Sequence, residues 1–300
     1  MHNKAKLAVT FSIIITMVLL ILVPVLGSMD GMYMDPLTTP EEFLNNQPHQ
    51  QTTLFGNTYW FTQPSSTGMV MALGILTILI GLFFAIKKNG QKSRFYWGIS
   101  LILWGFAAIL AGCSYQAFGY ELKANGQEHV LFTSWFEIFY MIVQAYSTAF
   151  MVSAVGYSTN SSEKFRDGLN VYSSVFAGVY TLIMLIGVLT KNTFLISYTG
   201  FIVFAGYNYL IMFILSVIHY VKHHDKQNLY MIILWISFLF VNIFYFVHLY
   251  ATNSVENWLN GGVWFTENDT LHVLLIAWMI EIFILLKNKL EDQKQIEKLE

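Results

Sequence analysis

The chain holds one cysteine, Cys113, five prolines, and few charges: Lys, Arg, Asp and Glu make up 11% of its 300 residues. A lone thiol cannot pair within the chain, so a disulfide scaffold is excluded. A soluble protein of this length needs about a quarter charged residues to cover its surface. This chain has less than half of that, so much of its surface must meet lipid. Its 16 basic and 18 acidic residues leave a net charge of −2, which provides no basic face for nucleic acid. Apolar residues reach 55%, which excludes a disordered chain.

Long apolar runs take the place of charge. A helix needs about 20 such residues to cross the ~30 Å hydrocarbon core. Eight segments qualify: Leu7–Leu26, Gly68–Ile86, Phe95–Phe118, Val130–Tyr157, Leu169–Leu189, Phe194–Val221, Leu229–Tyr250 and Thr270–Leu286. The expectation is an all-α polytopic integral membrane protein with eight transmembrane helices. The fourth and sixth runs exceed the crossing length and would tilt. Charge tests this division independently. Of the 16 basic residues, 14 fall in alternate segments, leaving Lys123 and Lys191 on the other side. Basic residues collect on the cytoplasmic side, so a multi-pass protein of the cell membrane with both termini cytoplasmic is expected. An odd number of spans would destroy the asymmetry.

Four regions follow. Residues 1–26 form an N-terminal membrane anchor or signal-like helix. Lys4, Lys6 and Val25-Leu26-Gly27 suit a signal peptide, whereas the length of the apolar run favours an uncleaved anchor. Residues 27–67 form an extracytoplasmic loop with Pro36, Pro40, Pro48 and Pro64 and no Lys or Arg. A loop this long serves as a lid or binding segment, or else as a solvated spacer. Residues 68–286 make a seven-helix core. Residues 287–300 are a charged cytoplasmic tail, with Leu290, Ile296 and Leu299 as its apolar members, read as a solvated helix end. Within the core, Gly98, Gly105, Gly112 and Gly119 recur every seven residues, and Gly74 and Gly81 repeat the device. Small residues let membrane helices approach closely, so these stripes are read as packing.

Ionisable groups inside a span are costly and mark candidate sites. Glu281 and His219 lie near the inner ends of their spans and can snorkel. The rest gather toward the outer side: Ser114, Gln116 and Glu121 on the third span; Glu137, Gln144 and Thr148 on the fourth. Asn242, Tyr245 and His248 follow on the seventh, with Asn268, Asp269 and His272 opening the eighth. Asn268 and His272 share a helix face one turn apart. Such groups should line the bundle interior or a water-filled cavity. The bland alternatives are wetting of His248 at the interface and an N-terminal helix role for Asp269.

The second core helix ends Gly112-Cys113-Ser114-Tyr115-Gln116-Ala117-Phe118-Gly119-Tyr120-Glu121. The third opens Ser134-Trp135-Phe136-Glu137, and the seventh Asn268-Asp269-Thr270-Leu271-His272. This pattern resembles the seven-helix hydrolase superfamily of alkaline ceramidases and adiponectin/progestin receptors, with Ser114, Glu137 and His272 at equivalent places. Gln116 and Asn268 stand where that family has zinc-binding histidines. The resemblance implies hydrolysis of a lipid amide, with Glu137, Ser114 and Gln116 as the catalytic groups. It also implies zinc held by His248, His272 and Glu137, a His₂Glu set, which would acidify a bound water. Glu121, Gln144, Asn242, Tyr245, Asn268 and Asp269 would form the ligand pocket. The expected partners are membrane lipids and a lipid-like or small ligand.

A non-catalytic sensor or receptor is the alternative, needing only an outer pocket, a lid and a cytoplasmic tail. A retinal protein requires a lysine in its last span, and no span here contains one. Haem b would take facing histidines, and His248 with His272 is the one pair at similar depth. A coupled transporter would show internal repeats and broken helices, which the sequence lacks.

Overall fold

The computed structural model describes residues 2–293. The tail residues Ile296 and Leu299 lie outside them. In chain order the elements are α1 (Asn3–Leu26), α2 (Pro40–Asn45), β1 (His49–Leu54), β2 (Asn57–Thr62), α3 (Pro64–Ile86) and α4 (Lys92–Ala111). A π-helical segment (Gly112–Ala117) precedes α5 (Gly119–Lys123), α6 (Trp135–Thr159), α7 (Glu163–Thr190) and α8 (Tyr198–His223). The chain then forms α9 (Lys226–Ala251), α10 (Ser254–Gly261) and α11 (Glu267–Leu286). Eight helices are long and apolar enough to cross a membrane: α1, α3, α4 with its π segment, α6, α7, α8, α9 and α11. Their outward faces carry exposed Leu79, Phe106, Val203, Leu239 and Ile284. This is the architecture of a multi-pass helical membrane protein, because water would not tolerate so continuous an apolar surface.

Six helices close a ring. α3 packs on α4, α4 on α6, α6 on α8, α8 on α9, α9 on α11, and α11 back on α3. α7 lies outside the ring against α6, and α1 lies outside α7. α3 and α4 pack closely, and glycine explains it. A Cβ on Gly105 would stand 2.5 Å from the Gly74 carbonyl oxygen, and one on Gly81 would stand 2.7 Å from that of Gly98. With no side chain in the way, the two backbones approach as in other small-residue membrane interfaces. The α4–α6 seam uses serine instead. Ser100 Oγ donates to the Ser147 carbonyl and Ser147 Oγ to that of Ser100, each at 2.8 Å. Asn208 on α8 joins three helices, donating to Thr148 Oγ1 on α6 at 3.0 Å and accepting from Tyr172 on α7 at 2.9 Å.

The loop of residues 27–67 is more regular than a spacer. α2 carries a capping box, in which Glu42 N donates to Thr39 Oγ1 and the Glu42 carboxylate accepts from Thr39 N. β1 and β2 form an antiparallel hairpin in which Leu54 pairs with Asn57. Its two-residue turn, Phe55-Gly56, has positive φ at both positions (52° and 81°), the geometry that matches strand twist. Phe55 conceals this turn in the sequence, because Asn or Asp is the usual partner of Gly there. The hairpin lies across the end of the ring. Thr62 Oγ1 donates to the Gln116 carbonyl, Trp60 N donates to Glu121 at 3.0 Å, and Trp258 Nε1 of α10 donates to the Asn45 carbonyl at 3.0 Å.

At the opposite, basic end the segment after α11 is docked rather than solvated. Leu290 is fully buried. The Asp292 carboxylate accepts from the backbone N–H groups of Lys92 and Ser93, at 2.8 and 2.7 Å, so it satisfies free donors at the start of α4. Arg94 donates to the Lys287 carbonyl and Arg166 to that of Gln293.

Candidate functional site

The six-helix ring encloses a cavity of about 1150 Å³ near its hairpin end. Its volume lies just above the ~300–1,000 Å³ typical of small-molecule pockets. All six ring helices contribute: Leu73 from α3, Trp104 from α4, Tyr140 and Gln144 from α6, Phe201 and Tyr209 from α8, Phe238 and Asn242 from α9, and His272 from α11. Aromatic and aliphatic side chains form most of the wall. The side between α8 and α9 is a mouth, since Leu210, Leu239, Ile243 and Val247 line the cavity and are also exposed on the outside of the bundle. Packing shows why the gap exists. Tyr209 stacks on Phe238 with ring centroids 4.6 Å apart, Ser216 meets Trp235, and His219 lies 3.5 Å from Asp225. These contacts run from mid-helix, at Tyr209 and Phe238, to the basic ends of the two helices.

Of the residues expected at the site, Gln116, Gln144, Asn242, Tyr245, Asn268 and His272 line this one cavity. The π-helical segment explains how Gln116 reaches it. α4 widens at Gly112, and an inserted residue of this kind re-aims the side chains that follow. Tyr115 and Gln116 join the cavity wall while Ser114 is buried against α6. His272 is buried, its Nδ1 3.0 Å from Ser66 Oγ on α3. That contact fixes the ring, so Nε2 is the nitrogen left for the cavity. Asn268 Nδ2 donates to Gln63 Oε1 at 2.9 Å, and Gln63 donates on to Gln47 at 3.1 Å, tying the cavity's polar end to the hairpin region.

The other expected residues are engaged elsewhere. Glu137, 2% exposed, is held by Lys123, 7% exposed. Lys123 Nζ lies 2.9 Å from Glu137 Oε1, which also accepts from Ser114 Oγ at 2.8 Å, while Thr133 Oγ1 donates to Oε2 at 3.1 Å. With its proton directed to Glu137, Ser114 accepts from Ser134 Oγ at 2.6 Å. Both oxygens of the buried carboxylate are thus hydrogen-bonded, which favours tolerance of such a pair. Glu121 accepts from Trp60 N and Asn125, anchoring the hairpin. Asp269 caps α11, accepting from Thr266 N at 2.7 Å. His248 Nδ1 lies 2.7 Å from Thr270 Oγ1 at the α9–α11 seam. None of Glu137, Ser114, Glu121, Asp269 and His248 is part of the cavity wall.

The donor set for zinc does not fit this arrangement. Among the described residues no three His, Cys, Asp or Glu side chains gather as metal ligands. Zinc needs ligands ~2 Å away, whereas both Glu137 oxygens are taken by an ammonium and hydroxyls, and His248 and His272 each have a different hydroxyl partner. Gln116 and Asn268 present amides, which are poor zinc ligands. Ser114 and Glu137, two of the three residues behind the hydrolase resemblance, do meet, and His272 stands at the cavity instead.

No protein-family model, curated protein or solved structure matches the chain.

Sequence reasoning missed Lys123 as the partner of Glu137, although a signal was present: it is one of two basic residues on the poorly charged side. It also missed the aromatic wall, because Tyr140, Tyr198 and Tyr209 read as ordinary span residues until the ring turns them inward.

Proposed function

We propose that this protein spans the cell membrane eight times with both termini cytoplasmic, and that its ring cavity binds a lipid-like ligand taken laterally from the outer half of the bilayer. The membrane reading is supported by the eight apolar helices together with 14 of 16 basic residues in alternate segments. In this orientation the hairpin end faces outward, and α1, packed along α7 with Val23 buried and Thr16 against Gly178, serves as a retained anchor.

The observation that carries the ligand reading is the cavity itself: a wall of aromatic and aliphatic side chains, amides and an imidazole at one end, and a mouth between α8 and α9. A few polar groups within an apolar pocket are the usual composition of a binding site. A lateral mouth suits a ligand dissolved in the membrane. The function that fits is a sensor or receptor for that ligand. A lipid-amide hydrolase has less support, because Glu137 is neutralised by Lys123 and stands outside the cavity wall together with Ser114.

Gly206 provides the test. It lines the cavity, and a Cβ there would meet nothing within 4 Å. Gly206→Trp should obstruct the part of the cavity beside α8 without disturbing the helices. Lipids co-purifying with the wild type, identified by mass spectrometry, should be lost from this variant while its melting temperature is kept. Unchanged lipid content in a folded Gly206→Trp protein would refute the proposal.

A further inference from the structure

No Lys, Arg, Asp or Glu lines the proposed ligand cavity among the described residues. The buried polar groups that do line it lean toward donation. Those on side chains at least nine-tenths buried belong to Trp104, Gln116, Tyr140, Gln144, Trp235 and His272. Trp235 donates to Ser216 inside the protein. Trp104 has only an indole N–H to offer, and that N–H is not sealed within the wall. Gln116 turns Oε1 into the wall, where it is closed off, so Nε2, a donor, is the amide atom left for the cavity. His272 becomes a donor through Ser66. The Ser66 hydroxyl is fully buried, and its partner is His272 Nδ1. If Nδ1 donated, the hydroxyl hydrogen would be left without an acceptor, which buried groups avoid. The hydroxyl therefore donates, and the ring proton sits on Nε2, toward the cavity. Tyr140 and Gln144 can donate or accept. None of these groups is restricted to accepting. Gln116 and His272 are fixed at the same end, because their partners Thr62 and Ser66 flank the start of α3.

We propose that the cavity selects an uncharged lipid whose head accepts hydrogen bonds from His272 Nε2–H and Gln116 Nε2–H, and that it rejects lipids with anionic heads. This rests on the ligand-binding reading above and narrows it to carbonyl-headed lipids, such as long-chain ketones and esters. A buried donor without an acceptor costs more than the small net gain of a made bond suggests, so a carbonyl oxygen at this end relieves a standing penalty. Exclusion of anions follows from the missing cations. A phosphate or carboxylate there would lose its water with no charge opposite it, and an unpaired buried charge is heavily penalised. Lys123 is committed to Glu137 outside the wall. His272 is the only imidazole lining the cavity among the described residues, and at pH 8 an ordinary imidazole is neutral. The apolar wall and the mouth between α8 and α9 accommodate the chain.

Four probes of matched chain length separate the possibilities: methyl pentadecyl ketone, heptadecane, heptadecanol and heptadecyl phosphate. The full chain is placed in phosphatidylcholine nanodiscs at pH 8. Radiolabelled ketone retained above empty nanodiscs is competed by each probe at equal mole fraction in the bilayer. Heptadecane, which has no acceptor, should compete roughly tenfold more weakly than the ketone, the scale of one hydrogen bond to a buried group. Heptadecanol, whose oxygen also accepts, should compete about as well as the ketone. The phosphate should be weaker by on the order of 100-fold. His272→Asn keeps an oxygen for Ser66 and withdraws the Nε2 donor, and Gln116→Leu withdraws the other. Each should weaken the ketone several-fold and leave heptadecane unchanged. A ketone no stronger than heptadecane, an alcohol about tenfold stronger than the ketone, or strongest binding of the phosphate would overturn the proposal while leaving a lipid site in place. So would ketone binding unchanged in both variants, or ketone and heptadecane weakened equally. If the variants fail to fold, the wild-type ketone-to-heptadecane ratio decides by itself. Retention of none of the probes by the wild type, each labelled in turn, would overturn both this proposal and the ligand reading beneath it.

Discussion

Replacing Gly105 by alanine probes the close approach of α3 and α4. The new Cβ would lie 2.5 Å from the Gly74 carbonyl oxygen, 2.6 Å from Ile78 Cγ1 and 2.9 Å from Ile78 N. Two of those three atoms are backbone, so no rotamer change can absorb the clash. Ordinary contact begins near 3.4 Å, so α3 and α4 must separate locally by about 0.9 Å, the difference between 3.4 and 2.5 Å. Separation also loosens the neighbouring approach of Gly81 to Gly98. Overpacking of this kind costs about 1–3 kcal/mol. For a chain of this size that corresponds to roughly 5 °C in melting temperature. The assay is thermal unfolding in a mild detergent, followed by the reactivity of Cys113 or by intrinsic fluorescence. Gly68→Ala and Gly206→Ala are the controls, because a Cβ at either position meets nothing within 4 Å. Both should hold or gain stability, since alanine is the better helix former by up to ~1 kcal/mol. If Gly105→Ala behaves like the two controls, α3 and α4 do not touch as described, and the account of the seam fails.

The buried ion pair should show strong coupling: Lys123→Met leaves the Glu137 carboxylate buried and unpaired and should cost about 3–5 kcal/mol. Adding Glu137→Gln should restore most of it, and a single-variant loss below ~1 kcal/mol would mean that the pair is solvated. Reporters fused at Asn89 and Ser162 should be cytoplasmic and those at Asn45 and Asn260 external; Asn45 and Ser162 on one side would end the eight-span topology. At α2, hydrogen bonds from the backbone and side chain of Thr39 hold the Glu42 carboxyl below the usual carboxylate range. Because the folded-state value is lowered, this cap contributes stability above the ordinary carboxyl pKa and loses it as pH falls through the lowered one. The protection factor of the Thr39 amide, its exchange corrected for the intrinsic pH dependence, should therefore fall in acid in the wild type, and Glu42→Gln should remove that fall.

Much of the architecture was legible from residues alone, for a physical reason. A bilayer demands about 20 apolar residues per crossing, and a run of that length is written locally in the chain, so each long helix overlaps its apolar run, although the runs from Val130 and Phe194 begin before α6 and α8 do. Gly98, Gly105 and Gly112 were legible as a stripe on the same ground, since spacing on a helix fixes which residues share a face, whereas Gly119 falls on α5 beyond the π-helical segment and meets Thr62 and Phe43. The N-terminal bounds were less so: α3 begins at Pro64, four residues before the apolar run, because proline suits a first helical turn whatever its hydropathy. The polar groups of the outer third were also visible by depth. Their grouping was not. Depth places Glu137 and His272 at one level but does not say which faces the ring interior. That depends on the rotation of each helix, which is set by partners far along the chain. Ser66 holds His272 across 206 residues, and Lys123 takes Glu137 out of the site by approaching from a short helix after the π-helical turn. The cavity is likewise a product of closure. Six helices contribute to it and α7 does not, an arrangement no local pattern encodes, because ring order follows from the long-range fit of small residues against small residues and of aromatic rings around the space that remains.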